Sequence, residues 1–179
     1  MSEAGAPARD PLPLRLLDLA AMATNIAGSA LILGLMVLIG LDVAGRNLLG
    51  APLPGVPEMV SLSIVAIVFL QAPQTLGAGR MARSTALPDT LSRKNPAAAR
   101  LLEDVWDLVG AAVLAILVWA TWPNLVRDWE RSTFVGAVGD FTAPTWPVKA
   151  TIVVGGALLV LQFIARIWRR HRRAAERVA

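Results

Sequence analysis

Apolar residues run along this chain in four long stretches without a charge, and the charged residues gather between them. The first stretch, Leu19 to Leu41, has 23 residues. As a helix rising about 1.5 Å per residue it extends about 34 Å, enough to cross a bilayer core. A cleaved signal peptide has an apolar core of only about 7–15 residues, so an uncleaved membrane helix is predicted. The second stretch, Met59 to Gly79, opens behind Pro57 and Glu58. Proline suits a first helical turn because its missing N–H has no partner there, and Glu58 sits at the positive end of the helix dipole. Pro73 is expected to kink or end this helix near its far side. The third stretch, Leu108 to Val126, carries Pro123 in its last turn. Its helix is expected to begin earlier, since Glu103, Asp104 and Asp107 are typical first-turn residues. The fourth runs from about Pro147 to Trp168, with an uncharged core from Ala150 to Ala165 that Lys149 and Arg166 extend by snorkelling to opposite interfaces.

The pattern predicts an all-α integral membrane protein with four transmembrane helices at about 19–41, 59–79, 104–126 and 147–168. An amino-terminal tail (1–18) and a basic carboxy-terminal tail (169–179) frame this membrane domain. The link at residues 80–103 exceeds a tight hairpin and mixes spaced apolar residues with basic ones. It reads as a short amphipathic helix on the membrane surface, with Leu87 and Leu91 inward, or as a plain loop. A helix is expected to start at Pro96, with Asn95 as its cap. The link from Arg127 to Thr145 is mixed in charge and reads as a neutral cap on the bundle, the alternative being a surface for a periplasmic partner.

Composition agrees with the pattern. The chain has 179 residues, 55% hydrophobic and 17% charged, against about 45–50% and about 25% in soluble domains. Of its 17 Lys and Arg, 13 fall on one side: Arg9 and Arg15; Arg80, Arg83, Arg93, Lys94 and Arg100; and Arg166, Arg169, Arg170, Arg172, Arg173 and Arg177. Only Arg46, Arg127, Arg131 and Lys149 fall on the other. The positive-inside rule then puts both termini in the cytoplasm. The net charge of +4 is a topology signal and not a nucleic-acid footprint, because the arginines sit beside apolar spans. Trp106 and Trp168 flank one end of the bundle and Trp122, Trp129 and Trp146 the other, as interfacial anchors do. Stacking on a ligand is the other use such residues have.

The chemistry that is missing narrows the function. Cysteine is absent and His171 is the one histidine, which excludes disulfides, iron–sulfur clusters, cysteine–zinc sites and bis-histidine haem. No ionisable residue lies near the centre of any span, where proton relays and charged-substrate pathways need one. Phosphate-binding loops, nucleophile elbows and histidine–glutamate metal patterns are also missing. The expectation is a scaffold or accessory subunit, with no enzymatic activity and no cofactor.

The segment Asp42-Val-Ala-Gly-Arg46-Asn-Leu-Leu-Gly50-Ala-Pro-Leu-Pro54-Gly-Val-Pro-Glu58 leads straight into the second span. It resembles the small membrane subunit of tripartite ATP-independent periplasmic (TRAP) transporters in its Asp…Arg span end, its Gly-x-Pro-x-Pro-like turn and the glutamate opening the next span. Length and the four-span topology agree. The chain departs from the family after span two, where a histidine and a hydrophobic–acidic run are common and this chain reads Gly79-Arg-Met-Ala-Arg-Ser-Thr-Ala-Leu-Pro. The resemblance implies a bacterial inner-membrane protein packed beside a large elevator-type subunit that carries the sodium and substrate sites. A periplasmic binding protein then delivers a substrate, often an organic acid, and the small subunit binds none itself. An orphan four-helix membrane anchor of another complex is the alternative. Asp42 and Arg46 lie at i and i+4 on one helix face in the favourable order, with Glu58 across a short turn. The three are expected to form an ion-pair cluster pinning that turn, or else a contact with the binding protein.

Overall fold

A computed structural model describes residues 11–81, 96–136 and 142–176, nearly all of them helical. Four helices follow in order: α1 (Leu12–Leu49), α2 (Val56–Gly77), α3 (Pro96–Arg131) and α4 (Trp146–Glu176). Between α3 and α4 two short strands, β1 (Phe134–Val135) and β2 (Ala143–Pro144), pair antiparallel with Phe134 opposite Pro144. Residues 82–95, where a surface helix and the Asn95 cap were expected, lie outside the described residues.

The helices outrun the uncharged stretches. α1 has 38 residues against the 23 uncharged ones, and α3 has 36 against 19. Charge marks where a chain leaves an apolar medium, whereas a helix ends where its backbone is capped. α1 ends at Gly50, whose φ of 64° is the left-handed conformation that glycine adopts without penalty. The Ala51 amide then reaches back to the Gly45 carbonyl at 3.3 Å, the wide bond that accompanies such a cap. α2 starts after Gly55, another left-handed glycine, with Pro57 and Glu58 in its first turn. The described part of α3 begins at Pro96 and runs unbroken through Pro123 to Arg131. Around that proline Thr121 donates to the Leu117 carbonyl (2.7 Å) and Asn124 to the Ala120 carbonyl (3.2 Å).

α2 and α4 run parallel in the middle, α1 packs antiparallel on α2, and α3 packs antiparallel on α4. α1 also reaches α4 near one end, while α3 makes no comparable contact with α1 or α2. The lateral order is therefore α1–α2–α4–α3. Glycines set the close approaches. A Cβ on Gly155 would lie 2.1 Å from the Phe69 carbonyl oxygen, one on Gly156 2.6 Å from Val118, and one on Gly28 2.8 Å from Gln71. Phe69 is four residues before Pro73, which has no N–H to give it. The carbonyl freed by the proline thus faces the α-hydrogen of Gly155, the geometry of a weak Cα–H···O contact. Pro73 is buried inside α2, which continues past it to Gly77.

Large apolar side chains stay exposed along every helix, among them Leu33, Met36 and Val37 on α1, Val113 and Ile116 on α3 and Leu161 on α4. In the most apolar stretch of α1 only 11% of residues are buried. α1, α2 and the Trp146–Arg172 part of α4 are long and apolar enough to cross a membrane. α3 carries its uncharged stretch between Asp107 and Arg127.

Candidate functional site

The charged side chains gather at the two ends of the helices. At one end lie the α1–α2 turn and the β1–β2 hairpin. Asp42, 6% exposed, accepts from Arg46 at 2.7 Å through one carboxylate oxygen and from the Leu53 amide at 2.9 Å through the other. It thereby ties the last turns of α1 to the connection into α2. Arg46 is 62% exposed. Glu58 sits half-buried in the first turn of α2 and joins neither partner in an ion pair among the described residues. Asp42 and Arg46 are thus brought together, and Glu58 stands apart.

A second carboxylate at this end was not foreseen. Asp128 receives Lys149 Nζ at 2.5 Å and the Thr145 hydroxyl at 2.5 Å, while the Thr133 hydroxyl lies 3.1 Å from that of Thr145. The Thr145 amide also donates to the Thr133 carbonyl at 3.2 Å. This chain locks the base of the hairpin to the first turn of α4. The Lys149 ammonium, and after it the Thr145 hydroxyl, hold the Asp128 carboxyl down at about 2 against an ordinary 3.8. Trp129 and Trp146 meet edge-on beside it, with ring centroids 4.7 Å apart. Trp122 is exposed on the same part of α3.

At the other end the amino-terminal part of α1, the start of α3 and the last turns of α4 converge. Asp18 of α1 accepts from Arg169 at 2.6 Å and from the Gln162 amide at 3.1 Å. Gln162 is 1% exposed and presses on Gly77 of α2, where a Cβ would lie 3.0 Å from its amide atoms. Arg170 reaches three carboxylates of α3: Glu103 at 3.0 Å, Asp107 at 2.5 Å and Asp104. Asp107, 2% exposed, also has Arg166 at 3.7 Å. His171 Nε2 stands 3.5 Å from Asp104. Trp106 and Trp168 are exposed beside this cluster. The arginines that mark topology in the sequence are therefore also the fasteners between α4 and its neighbours. One signal was available: Glu103, Asp104 and Asp107 share a face of α3, and Arg166 and Arg170 share one of α4. Only the antiparallel register of the two helices, which the sequence does not state, brings those faces together.

Between the two ends no charged side chain interrupts the helices. The separations are 24 residues from Asp18 to Asp42, 21 from Asp107 to Asp128 and 17 from Lys149 to Arg166. These correspond to about 36, 32 and 26 Å of helix. Among the described residues no group of three or more His, Asp or Glu side chains is placed to hold a metal ion. What the arrangement offers is fixed spacing and a large apolar surface.

Comparison with curated proteins finds no match. Residues 35–173 match the family described as tripartite ATP-independent periplasmic transporters, DctQ component. The match runs from the middle of α1 to the last turns of α4 and includes both charged ends apart from Asp18. It is a family of transporter components and not of enzymes. With its apolar helices and this family match, the chain is a multi-pass membrane protein, and it belongs to the DctQ family, the small permease subunit of TRAP transporters.

Proposed function

We propose that the chain is the fixed scaffold of a sodium-coupled importer of organic acids, holding no substrate itself and packing against a large elevator-type subunit in the bacterial inner membrane. A periplasmic binding protein brings the substrate to the assembled pair. The observation that carries this reading is the contrast between charged ends fastened by buried ion pairs and an uncharged middle whose apolar side chains face outward. Such a body resists deformation and has no polar route through it. All four helices cross the bilayer on this reading, because the charged residues on α3 are spaced like those on α1. The termini face the cytoplasm, in keeping with the excess of Lys and Arg at that end. Asp42 and Arg46 pin the α1–α2 turn on the periplasmic side, and the exposed guanidinium of Arg46 is available to a neighbouring subunit.

The test is recovery of the tagged chain from its native membrane after gentle extraction, with its companions identified by mass spectrometry. A large multi-span protein at equal stoichiometry, and loss of sodium-dependent organic-acid uptake on deletion, are expected. Recovery alone, or with an unrelated complex, would instead favour an orphan anchor. Arg46→Ala should lower the yield of assembled complex, and unchanged assembly and uptake would remove any role for that residue. Topology is read separately by cysteine labelling, since the chain has no cysteine of its own. Arg131→Cys should react with a membrane-impermeant maleimide in intact spheroplasts, and Arg100→Cys only after permeabilisation.

A further inference from the structure

Five of the six tryptophans lie within six residues of Asp107, Asp128, Lys149 or Arg169, at the charged ends. Trp119 is the exception. It follows Asp107 by 12 residues and precedes Asp128 by nine, about 18 and 13 Å along α3. With α3 across the bilayer, as proposed above, that is the hydrocarbon core. At 79% exposure it is the most exposed large apolar side chain between the charged ends. No hydrogen bond or ring contact engages its indole among the described residues. An interfacial tryptophan satisfies its N–H in the headgroup layer. Trp119 is further from either layer than an indole reaches, so lipid alone leaves that donor without an acceptor, which is costly. Its face of α3 repeats at intervals of four, three, four and three residues: Leu108, Ala112, Ala115, Trp119 and Trp122, all exposed. The packed side of α3 is a different one, marked by Gly110 against Phe163 and Val118 against Gly156.

Building on the scaffold reading above, we infer that this face of α3 is where the large membrane subunit docks. A helix of that subunit crosses over Ala112 and Ala115 and presents an oxygen acceptor (carbonyl, hydroxyl or carboxamide) to the Trp119 Nε1–H. Small residues let two backbones approach closely in a membrane, and polar side chains then hydrogen-bond between the helices. Tryptophan is also among the residues that most often dominate an interface. The opposite edge of the layer, the outer face of α1, suits lipid instead. Between Leu19 and Leu41 its one exposed polar side chain is Ser29, whose hydroxyl already donates to the Asn25 carbonyl at 3.0 Å. A second copy of this chain does not meet the requirement at Trp119. Related by a two-fold axis along the bilayer normal, it brings alanines, Ile116 and another indole to that depth, and none of these side chains accepts a hydrogen bond.

The experiment places a photoreactive benzoylphenylalanine in the full chain at Ala115 or Ile116, which flank Trp119, and at Leu33 or Val37 on the outer face of α1. The tagged chain is irradiated in its native membrane and recovered. Crosslinks to the large multi-span companion from both α3 positions, and none from the α1 positions, are expected. Affinity for that companion is then read between the purified partners in lipid nanodiscs. Trp119→Ala should weaken it about thirtyfold. Trp119→Phe keeps a ring and removes only the N–H, and should weaken it about threefold. Helicity and the unfolding midpoint of the isolated chain should not change in either variant, because the side chain is exposed there. Three results overturn the inference: companion crosslinks from α1 alone, crosslinks from α3 only to lipid or to a second copy of this chain, or full affinity in Trp119→Ala. In each of them the companion is still recovered with the tagged chain, so the scaffold reading stands. Absence of any companion fells both.

Discussion

Asp42 and Asp128 each close a turn at the same end of the molecule, and each is almost wholly withdrawn from solvent. Removing Asp42 leaves the Leu53 amide without its acceptor, so Asp42→Ala should lower stability by about 1–3 kcal/mol. Arg46→Ala removes only a largely exposed partner and should lower it by less than about 1 kcal/mol. Thermal unfolding in detergent compares the two, and equal losses would show that the amide bond is unimportant. Asp128 makes a statement about pH. Its folded carboxyl sits at about 2, below the ordinary 3.8, so the ionised form is favoured by folding. The stabilisation is complete above the ordinary value and is lost as pH falls through about 2. Protection of the Thr145 amide, taken relative to its intrinsic exchange rate, should therefore fall between about pH 4 and pH 2, and in Asp128→Asn it should be low and flat across that range. The Asp42–Arg46 pair was legible in the sequence because four residues on one helix fix its geometry. The Asp128–Lys149 pair was not, because the hairpin that brings its partners together is decided by chain reversal and not by periodicity. Glu58 failed to join its neighbours for a related reason: position in a turn sets proximity along the chain, not the direction in which a side chain points.

The helices themselves were legible from the long apolar stretches, but the described ends of α1, α3 and α4 lie outward of those stretches, whereas α2 stops at Gly77. The amphipathic ends of α1, α3 and α4 are held by ion pairs between helices, which no single helix reveals. Small residues tell the same story. Gly155 and Gly156 lie against Phe69 and Val118, whereas Gly34, four residues after the small Ala30, has nothing within 4 Å of a Cβ placed on it. Gly28, six residues before Gly34, sits tight against Gln71. Spacing identifies a small-residue face, but which way that face turns depends on the neighbour. The contrast is directly testable. Gly155→Ala drives a methyl group into the Phe69 carbonyl and should destabilise by about 1–3 kcal/mol as α2 and α4 separate. Gly34→Ala should stabilise by up to about 1 kcal/mol, since only backbone freedom changes. Unfolding midpoints of both variants decide the matter, and a harmless Gly155→Ala would show that the two helices do not touch there.

Across the whole molecule the lateral order α1–α2–α4–α3 makes a single layer in which α4 alone meets all the other helices. Arg170 fastens that layer at its α3 edge. Arg170→Gln leaves three carboxylates facing one another around a neutral side chain, and the loss should reach about 3–5 kcal/mol, as for a broken buried pair. Adding Asp107→Asn should recover part of it, which a purely steric role for Arg170 would not allow. Four-helix topology was within reach of hydropathy, but the order of the helices was not, because the contacts that set it lie at Gly28, Gly77 and Gly155, far apart in sequence. The two charged ends have one more consequence. Held about 26–36 Å apart by rigid helices, they cannot move closer or further without breaking their own ion pairs. With all four helices across the bilayer, as proposed, that spacing suits a core of about 30 Å, and a thinner or thicker one is met by tilting the layer as a unit or by deforming the lipid around it. Any larger subunit seated against this layer inherits the same thickness of lipid around it.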